Sequence, residues 1–185
     1  MALGSLAFVL AAHTAVASPL RSRFTTIELA ACTVMKRHAD GNTWHCGGLK
    51  GYPVTYAEGD LRAFVSFGAG AENRKAARQT LRPFNTIFES KGSRATIEWR
   101  FRRRAGTDLP YATIMRVFTS PDGARGEVLV VTKVSATEAC HMAYVDAMAN
   151  VEAMALARAA ADELAANWSC SSEPRVLGAT GKSPM

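Results

Sequence analysis

Four successive segments between residues 95 and 146 are rich in β-branched and aromatic residues and are separated by short connections. They read ATIEWRFRRR, PYATIMRVFT, EVLVVTKV and CHMAYVD. Strands joined by so few residues run antiparallel, because parallel neighbours need a crossover of a dozen or more residues. The first connection is AGTD, and the second contains SPDG, whose Pro121 and Gly123 favour a type I turn. The chain is therefore constrained to a mainly antiparallel sheet.

Helical patterns accompany these strands. NVEAMALARAAADELAANW begins at Asn150, a good N-cap, and is Ala-rich as far as Trp168, so we expect a long C-terminal helix. AENRKAARQTL predicts a short basic helix before Pro83, and YPVTY with LRAFVSFG predicts a hairpin around Glu58-Gly59-Asp60. The predicted fold class is α+β, with the sheet packed on one face by the C-terminal helix.

The length and the first residues indicate the domain organisation. A chain of 185 residues with 48% hydrophobic residues suits one globular core. MALGSLAFVLAAHTAVAS is apolar, is too short for a membrane span of roughly 20 residues, and closes on Ala15-Val16-Ala17. We expect a signal peptide over 1–17, a domain over 18–170 and a flexible tail over 171–185. The protein is then periplasmic or secreted, without a transmembrane span.

The four cysteines predict two disulfides, since exported proteins usually oxidise their thiols. The strand from Cys140 travels about 20 Å and the following helix returns about 27 Å, which brings Cys170 back to Cys140. The predicted pairs are Cys140–Cys170 and Cys32–Cys46. LAAC, which ends at Cys32, also has the form of a lipoprotein cleavage box, but charged residues separate it from the apolar run.

A wider pattern in the second half of the chain resembles a known group of proteins. FTSPDG, GEVLVVTKV, ACHMAYVDA and ALARAAADE followed by cysteine are similar to a family of small exported proteins of Gram-negative bacteria. The resemblance covers about residues 24–170. It implies export and a single domain, and it implies no activity.

Candidate catalytic and metal-binding residues are few. His45-Cys46 and Cys140-His141 supply zinc ligand types, but adjacent strand residues point to opposite faces, so we expect no metal and no cofactor. A small hydrolase remains an alternative function. It would use His141 with Asp146, or the carboxylates Glu58 and Asp60, although the chain lacks a G-x-S-x-G elbow. GAGAENRK lacks the third glycine of a dinucleotide fingerprint and predicts a turn.

The arginines of IEWRFRRR give the leading functional hypothesis. Strand alternation places Ile97 and Trp99 on one face and Arg100, Arg102 and Arg104 on the other. Successive arginines of this row are about 6.6 Å apart along the strand. Residues 62–104 hold 11 basic and 3 acidic residues, a local charge of +8 in a chain of net charge +6. We expect an anion-binding surface formed by a set of six residues: Arg74, Lys75, Arg78, Arg100, Arg102 and Arg104.

The predicted function follows from this surface. It is a non-enzymatic exported binding protein for an anionic envelope polymer or an acidic protein, with no specific nucleic-acid recognition. The alternative for these arginines is a solvated edge strand whose charges block edge-to-edge aggregation.

Overall fold

A computed structural model describes residues 21–120 and 125–185. The predicted signal peptide lies outside the described residues, as do the central positions of the predicted SPDG turn.

Eleven strands, numbered along the chain, form two sheets in these residues. The large sheet has the order β1-β7-β8-β9-β10-β11, and β6 pairs with β8. Its strands are β1 (Arg21–Ile27), β6 (Asn85–Thr86), β7 (Ala95–Arg104), β8 (Thr107–Thr119), β9 (Gly126–Val134), β10 (Ala139–Asp146) and β11 (Arg175–Leu177). The small sheet, in the order β2-β3-β4-β5, contains β2 (Thr33–His38), β3 (Gly41–Leu49), β4 (Tyr52–Gly59) and β5 (Arg62–Phe67). The α-helix α1 spans Ala153–Leu164.

The large sheet lies between the small sheet and α1. Residues such as Ile97 and Trp99 belong to the core shared with the small sheet, together with Tyr56 and Phe67. The opposite face forms a second core with the helix, which contains Ile114, Leu129, Val131, Met142, Ala157 and Ala161. Strand alternation supplies both cores, because successive side chains of one strand point to opposite faces of the sheet. The large sheet is therefore covered on both faces.

The predicted α+β fold with a long C-terminal helix is wrong. Half of the described residues are strand, and α1 has only 12 residues. Turns occupy residues 147–149, 151–152 and 165–167, at the two ends of the expected helix. The predicted short basic helix is replaced by two 3-10 turns, Ala71–Asn73 and Lys75–Arg78. At 12 residues α1 is too short to cross a bilayer, and the described segments contain no other helix that could do so.

The missing strands explain most of this error. The sequence from residue 36 to residue 44 looks like a polar turn, yet it belongs to the β2–β3 hairpin. Every residue of β2 is exposed, so the strand has no buried face and no apolar alternation to reveal it. Its backbone hydrogen bonds to β3 and the disulfide at its start hold it in place. The addition of β2 and β3 to the predicted hairpin β4–β5 completes a separate sheet.

The structure contains disulfides at both predicted pairs. Cys32 is bonded to Cys46, and Cys140 is bonded to Cys170 with a Cα–Cα distance of 5.6 Å. Two disulfides are typical of exported proteins. Because the sulfur of Cys32 is used in this way, it is not available for a lipid.

The C-terminal segment 171–185, which we expected to be a flexible tail, packs on the large sheet. Its strand β11 pairs in parallel with β10. The backbone amides of Lys182 and Ser183 both donate to Oδ2 of Asp146, at 2.9 and 2.8 Å. The Ser183 hydroxyl accepts from the Glu127 amide and donates to the Glu127 carbonyl. The last residues are therefore part of the domain.

Candidate anion-binding groove

The arginine row of β7 is divided by its surroundings. β7 is an interior strand between β1 and β8, so it is not the solvated edge of the alternative hypothesis. Its alternation is as expected, but α1 covers the first part of the polar face. Arg100 is 7% exposed and Glu98 is 2% exposed, whereas Arg102 and Arg104 are exposed at the end of the strand. The row therefore contains two kinds of arginine.

Arg100 belongs to a buried charge network between the large sheet and α1. Its Nη2 contacts both carboxylate oxygens of Asp162 at 2.9 and 2.7 Å, and its Nε donates to Oδ1 at 3.0 Å. On the neighbouring turn of α1, Arg158 donates through Nε and Nη2 to Glu98 at 2.9 and 3.0 Å. Ser22 links the two pairs, because it accepts from Arg100 at 2.7 Å and donates to Glu98 at 2.6 Å. All of these groups are engaged in holding the helix on the sheet.

Arg74 is also committed to structure. Its guanidinium donates to four backbone carbonyls, those of Ala69, Ser135, Ala136 and Glu138, at 2.7 to 3.2 Å. It lies against Gly68, where a Cβ atom would come within 2.8 Å of the Arg74 Nη1. Gly68 has φ +94, so glycine is needed both for this conformation and for the close approach. The glycines of GAGAENRK therefore form a turn around Arg74, as the turn prediction implies.

Arg102 and Arg104 line an open groove beside the tip of the β7–β8 hairpin. The groove has a volume of about 430 Å³, and its other side chains include Tyr52, Tyr111 and Lys133. The guanidinium of Arg102 lies 4.9 Å from the ring centroid of Tyr111. The part of the groove formed by described residues contains no carboxylate side chain. The groove is therefore cationic, with an aromatic wall.

Local backbone geometry creates this arrangement. The hairpin turns at Ala105 and Gly106, which have φ values of 47 and 81, as a two-residue turn of type I′ requires. The register of β7 and β8 shifts so that Arg100 pairs with Ala112 and Phe101 pairs with Pro110. Tyr111 is the extra residue of this bulge, and its hydroxyl donates to Asp162. A bulge next to a site commonly redirects a side chain, and here Tyr111 connects the groove to the buried charge network.

Lys75 and Arg78 lie apart from the groove. The ammonium of Lys75 is 3.4 Å from the Ser172 carbonyl oxygen, and Arg78 is exposed on the same 3-10 turn. Lys75 lines a different depression, on the far side of the β9–β10 turn. Ala136 of that turn lies between them and lines both the depression and the groove. Of the six predicted residues, only Arg102 and Arg104 line this groove.

Sequence reasoning missed Lys133 and the two tyrosines. Lys133 pairs with Ala112 across β8 and β9, so its position beside the hairpin follows from the register. Its ammonium contacts Glu138 at 2.9 Å and the Trp168 carbonyl at 2.7 Å, which fixes it at the wall of the groove. The only sequence signal was a lysine in the mainly apolar run EVLVVTKV.

The histidine of the hydrolase alternative is enclosed. His141 is 5% exposed and lies beside a cavity of only about 20 Å³ between the sheets. Its Nδ1 lies 2.9 Å from the Tyr144 hydroxyl oxygen. Burial, together with the positive charge of Lys75, lowers the pKa of His141 to about 3. A substrate has no room at this ring.

The carboxylates of that alternative lie elsewhere. Asp146 accepts four backbone hydrogen bonds that anchor the following turn and the tail. Although burial opposes it, these hydrogen bonds hold the pKa of Asp146 below its usual value. Glu58 lines a separate groove, and Asp60 pairs with Arg62 at 2.6 Å. His141 and these carboxylates therefore form no common site.

In comparisons with known proteins, no family model, no curated protein and no solved structure matches this chain. The functional interpretation therefore depends on the groove beside the hairpin tip, because that groove contains exposed cations that the fold does not use.

Arg100→Met should lower the free energy of unfolding by about 3–5 kcal/mol, because it leaves the Asp162 carboxylate without its bidentate partner in a largely buried site. Arg102→Met, two residues along the same face, should change it by about 1 kcal/mol or less, since that side chain is exposed. Urea unfolding of both variants tests the difference. Equal losses would show that the two arginines have the same role.

The stability of the protein should fall as the pH decreases from about 6.5 towards 3. The pKa of His141 is about 3 in the folded state and about 6.5 when unfolded, so unfolding takes up a proton in this interval. The neutral ring therefore makes its full contribution to the free energy of unfolding above pH 6.5, and this contribution is lost as the pH falls towards 3. Urea unfolding at pH 7, 6, 5 and 4 gives the free energy of unfolding as a function of pH. Its slope measures the protons taken up on unfolding, and this number should be smaller by about one in His141→Gln than in the unmodified protein. Equal slopes in the two proteins would mean that folding does not lower the pKa of His141.

Proposed function

We propose that this chain is a non-enzymatic exported protein, periplasmic or secreted, that binds an anionic polymer or an acidic partner. The observation that carries the proposal is the groove lined by Arg102 and Arg104, neither of which belongs to an ion pair among the described residues. Exposed arginines of a globular protein are usually balanced by nearby acidic residues. Here the nearest acidic residue of the hairpin, Asp108, is paired with Arg23 at 3.0 Å.

The chemistry of the groove favours anions that repeat along a chain. Arg102 and Arg104 alternate on one face of β7, which spaces their Cα atoms by about 7 Å in an extended strand. A guanidinium binds sulfate, phosphate or carboxylate through two parallel hydrogen bonds. This geometry gives a stronger and more specific interaction than a point charge does. Tyr111 holds the Arg102 side chain by a cation–π contact, which reduces the ordering cost on binding.

The position of the groove also supports a binding role. It lies at the end of a hairpin whose two strands are interior members of the large sheet. Binding residues are often carried on loops and strand ends that a rigid scaffold holds in place. The two disulfides and the resemblance to exported proteins of Gram-negative bacteria both support export.

Heparin provides a polyanion with which to test the proposal. The purified protein should be retained on heparin with a steep dependence on salt, because each neutralised charge releases a counterion. Arg102→Glu with Arg104→Glu should lower the affinity at 0.1 M salt by at least about tenfold, and should leave the urea midpoint nearly unchanged because both side chains are exposed.

The matched control is Arg37→Glu with Arg82→Glu, two exposed arginines outside the groove. Both double variants change the net charge from +6 to +2. Equal loss of retention in the two would show that heparin responds only to net charge, and the proposed groove would then be rejected.

A further inference from the structure

A second groove lies at the opposite end of β8, about 40 Å along the strand from the hairpin tip. It has a volume of about 610 Å³ and an apolar floor formed by Leu61, Phe84, Phe88 and Phe118. It continues into a neighbouring depression of about 500 Å³, with which it shares Phe88 and Glu58. We call this the aromatic groove. Nothing in the proposed binding of anions uses it.

Large apolar side chains are left open to solvent here. Leu61 is 69% exposed and Phe84 is 46% exposed. Leu61 also has φ +57 at the second position of the β4–β5 turn, where glycine is usually preferred. An exposed leucine in this strained conformation contributes little to the fold. Concave apolar surfaces of 300–1,000 Å³ with a few polar groups are the usual form of a small-molecule site.

The charges around the aromatic groove fall into two groups. Arg125 pairs with Glu89 at 3.0 Å, and Arg62 pairs with Asp60 at 2.6 Å. Arg125 also stacks on Phe118, with its guanidinium 4.9 Å from the ring centroid. The ion pairs found among residues 21–120 and 125–185 include neither Asp40 nor Glu58. Lys91, which lines the neighbouring depression, is also absent from these pairs, so two carboxylates face one ammonium and the unbalanced charge at this groove is negative.

Asp40 and Glu58 line the same groove, where the β2–β3 turn packs against β4. Gly41 approaches the backbone of Glu58 so closely that a Cβ atom would lie 2.0 Å from the Glu58 carbonyl oxygen. Asp40 directly precedes Gly41, and its Oδ2 lies near Gly59, where a Cβ atom would be 3.6 Å away. Any side chain at position 41 would force the β2–β3 turn away from the backbone of β4.

Glu58 is oriented from beneath by a buried tyrosine. The Tyr56 hydroxyl, on a fully buried side chain, donates to Oε1 of Glu58. Burial, and then the neighbouring Glu58, raise the pKa of Tyr56, so the phenol keeps its proton and remains a donor. This hydrogen bond occupies one carboxylate oxygen and leaves Oε2 for a ligand.

We propose that the aromatic groove binds a small organic cation, an ammonium group carried on an aromatic body. The ammonium lies between Asp40 and Glu58, and the aromatic body lies on Phe84 and Phe88. Charge complementarity selects the cation, because the arginines of the groove already have carboxylate partners. Phenylalanine faces also attract a positive charge, because the face of the ring is the negative part of its quadrupole.

Three probes of similar size test the proposal by isothermal titration calorimetry on the purified protein. They are phenethylammonium, the neutral 2-phenylethanol and the anionic 3-phenylpropionate. Phenethylammonium should bind at least about tenfold more tightly than the alcohol, and 3-phenylpropionate should not bind measurably. The absence of any binding by phenethylammonium, or equal binding by all three probes, would overturn the proposal.

Two variants locate the site. Glu58→Gln and Asp40→Asn should each weaken phenethylammonium binding by about tenfold, whereas Glu163→Gln, an exposed carboxylate on α1, should leave it unchanged. Asp40 is exposed, so Asp40→Asn decides the question even if Glu58→Gln destabilises the protein. Equal affinity in Asp40→Asn and in the unmodified protein would contradict a carboxylate-directed site. Heparin retention should not change in any of the three variants, which separates this groove from the one at the hairpin tip.

Discussion

The ion pair between Arg100 and Asp162 is the interaction on which the position of α1 on the large sheet depends. The face of α1 that contacts the large sheet is formed by small residues, Ala153, Ala157, Ala160 and Ala161, which bury little apolar area. Such a face lets the helix approach closely but does not fix its position along the strands. The bidentate pair, together with Glu98 and Arg158, supplies that registration. The loss of one partner of a buried pair is costly, so the helix is held at one position.

The same strand serves structure at one end and exposes cations at the other because the helix covers only part of it. Arg100 lies beneath α1, whereas Arg102 and Arg104 lie beyond the bulge at Tyr111, where the hairpin extends past the helix. Tyr111 contacts both the buried pair and the groove, since its hydroxyl donates to Asp162 and the Arg102 guanidinium stacks on its ring. The proposed anion-binding groove is thus positioned by the interaction that holds the helix.

Part of this architecture could be predicted from the sequence. The alternation in IEWRFRRR gave the correct two faces of β7, and the strand and helix lengths gave the Cys140–Cys170 disulfide. Local patterns could not show that α1 covers the arginine face, because alternation does not reveal what lies opposite a polar side. β2 was missed since both of its faces are exposed, and Lys133 was missed since its place depends on the register of β8 and β9. Each error concerns contacts between segments that are distant in the sequence.

The most direct test of the divided arginine row is a titration of the ¹⁵N-labelled protein with a heparin hexasaccharide, followed by nuclear magnetic resonance of backbone and arginine side-chain groups. The account predicts that the largest shifts occur at Arg102, Arg104, Tyr111 and Lys133, and that the guanidinium signals of Arg74 and Arg100 do not move. Shifts centred on Lys75 and Arg78, or spread evenly over the basic residues, would contradict it.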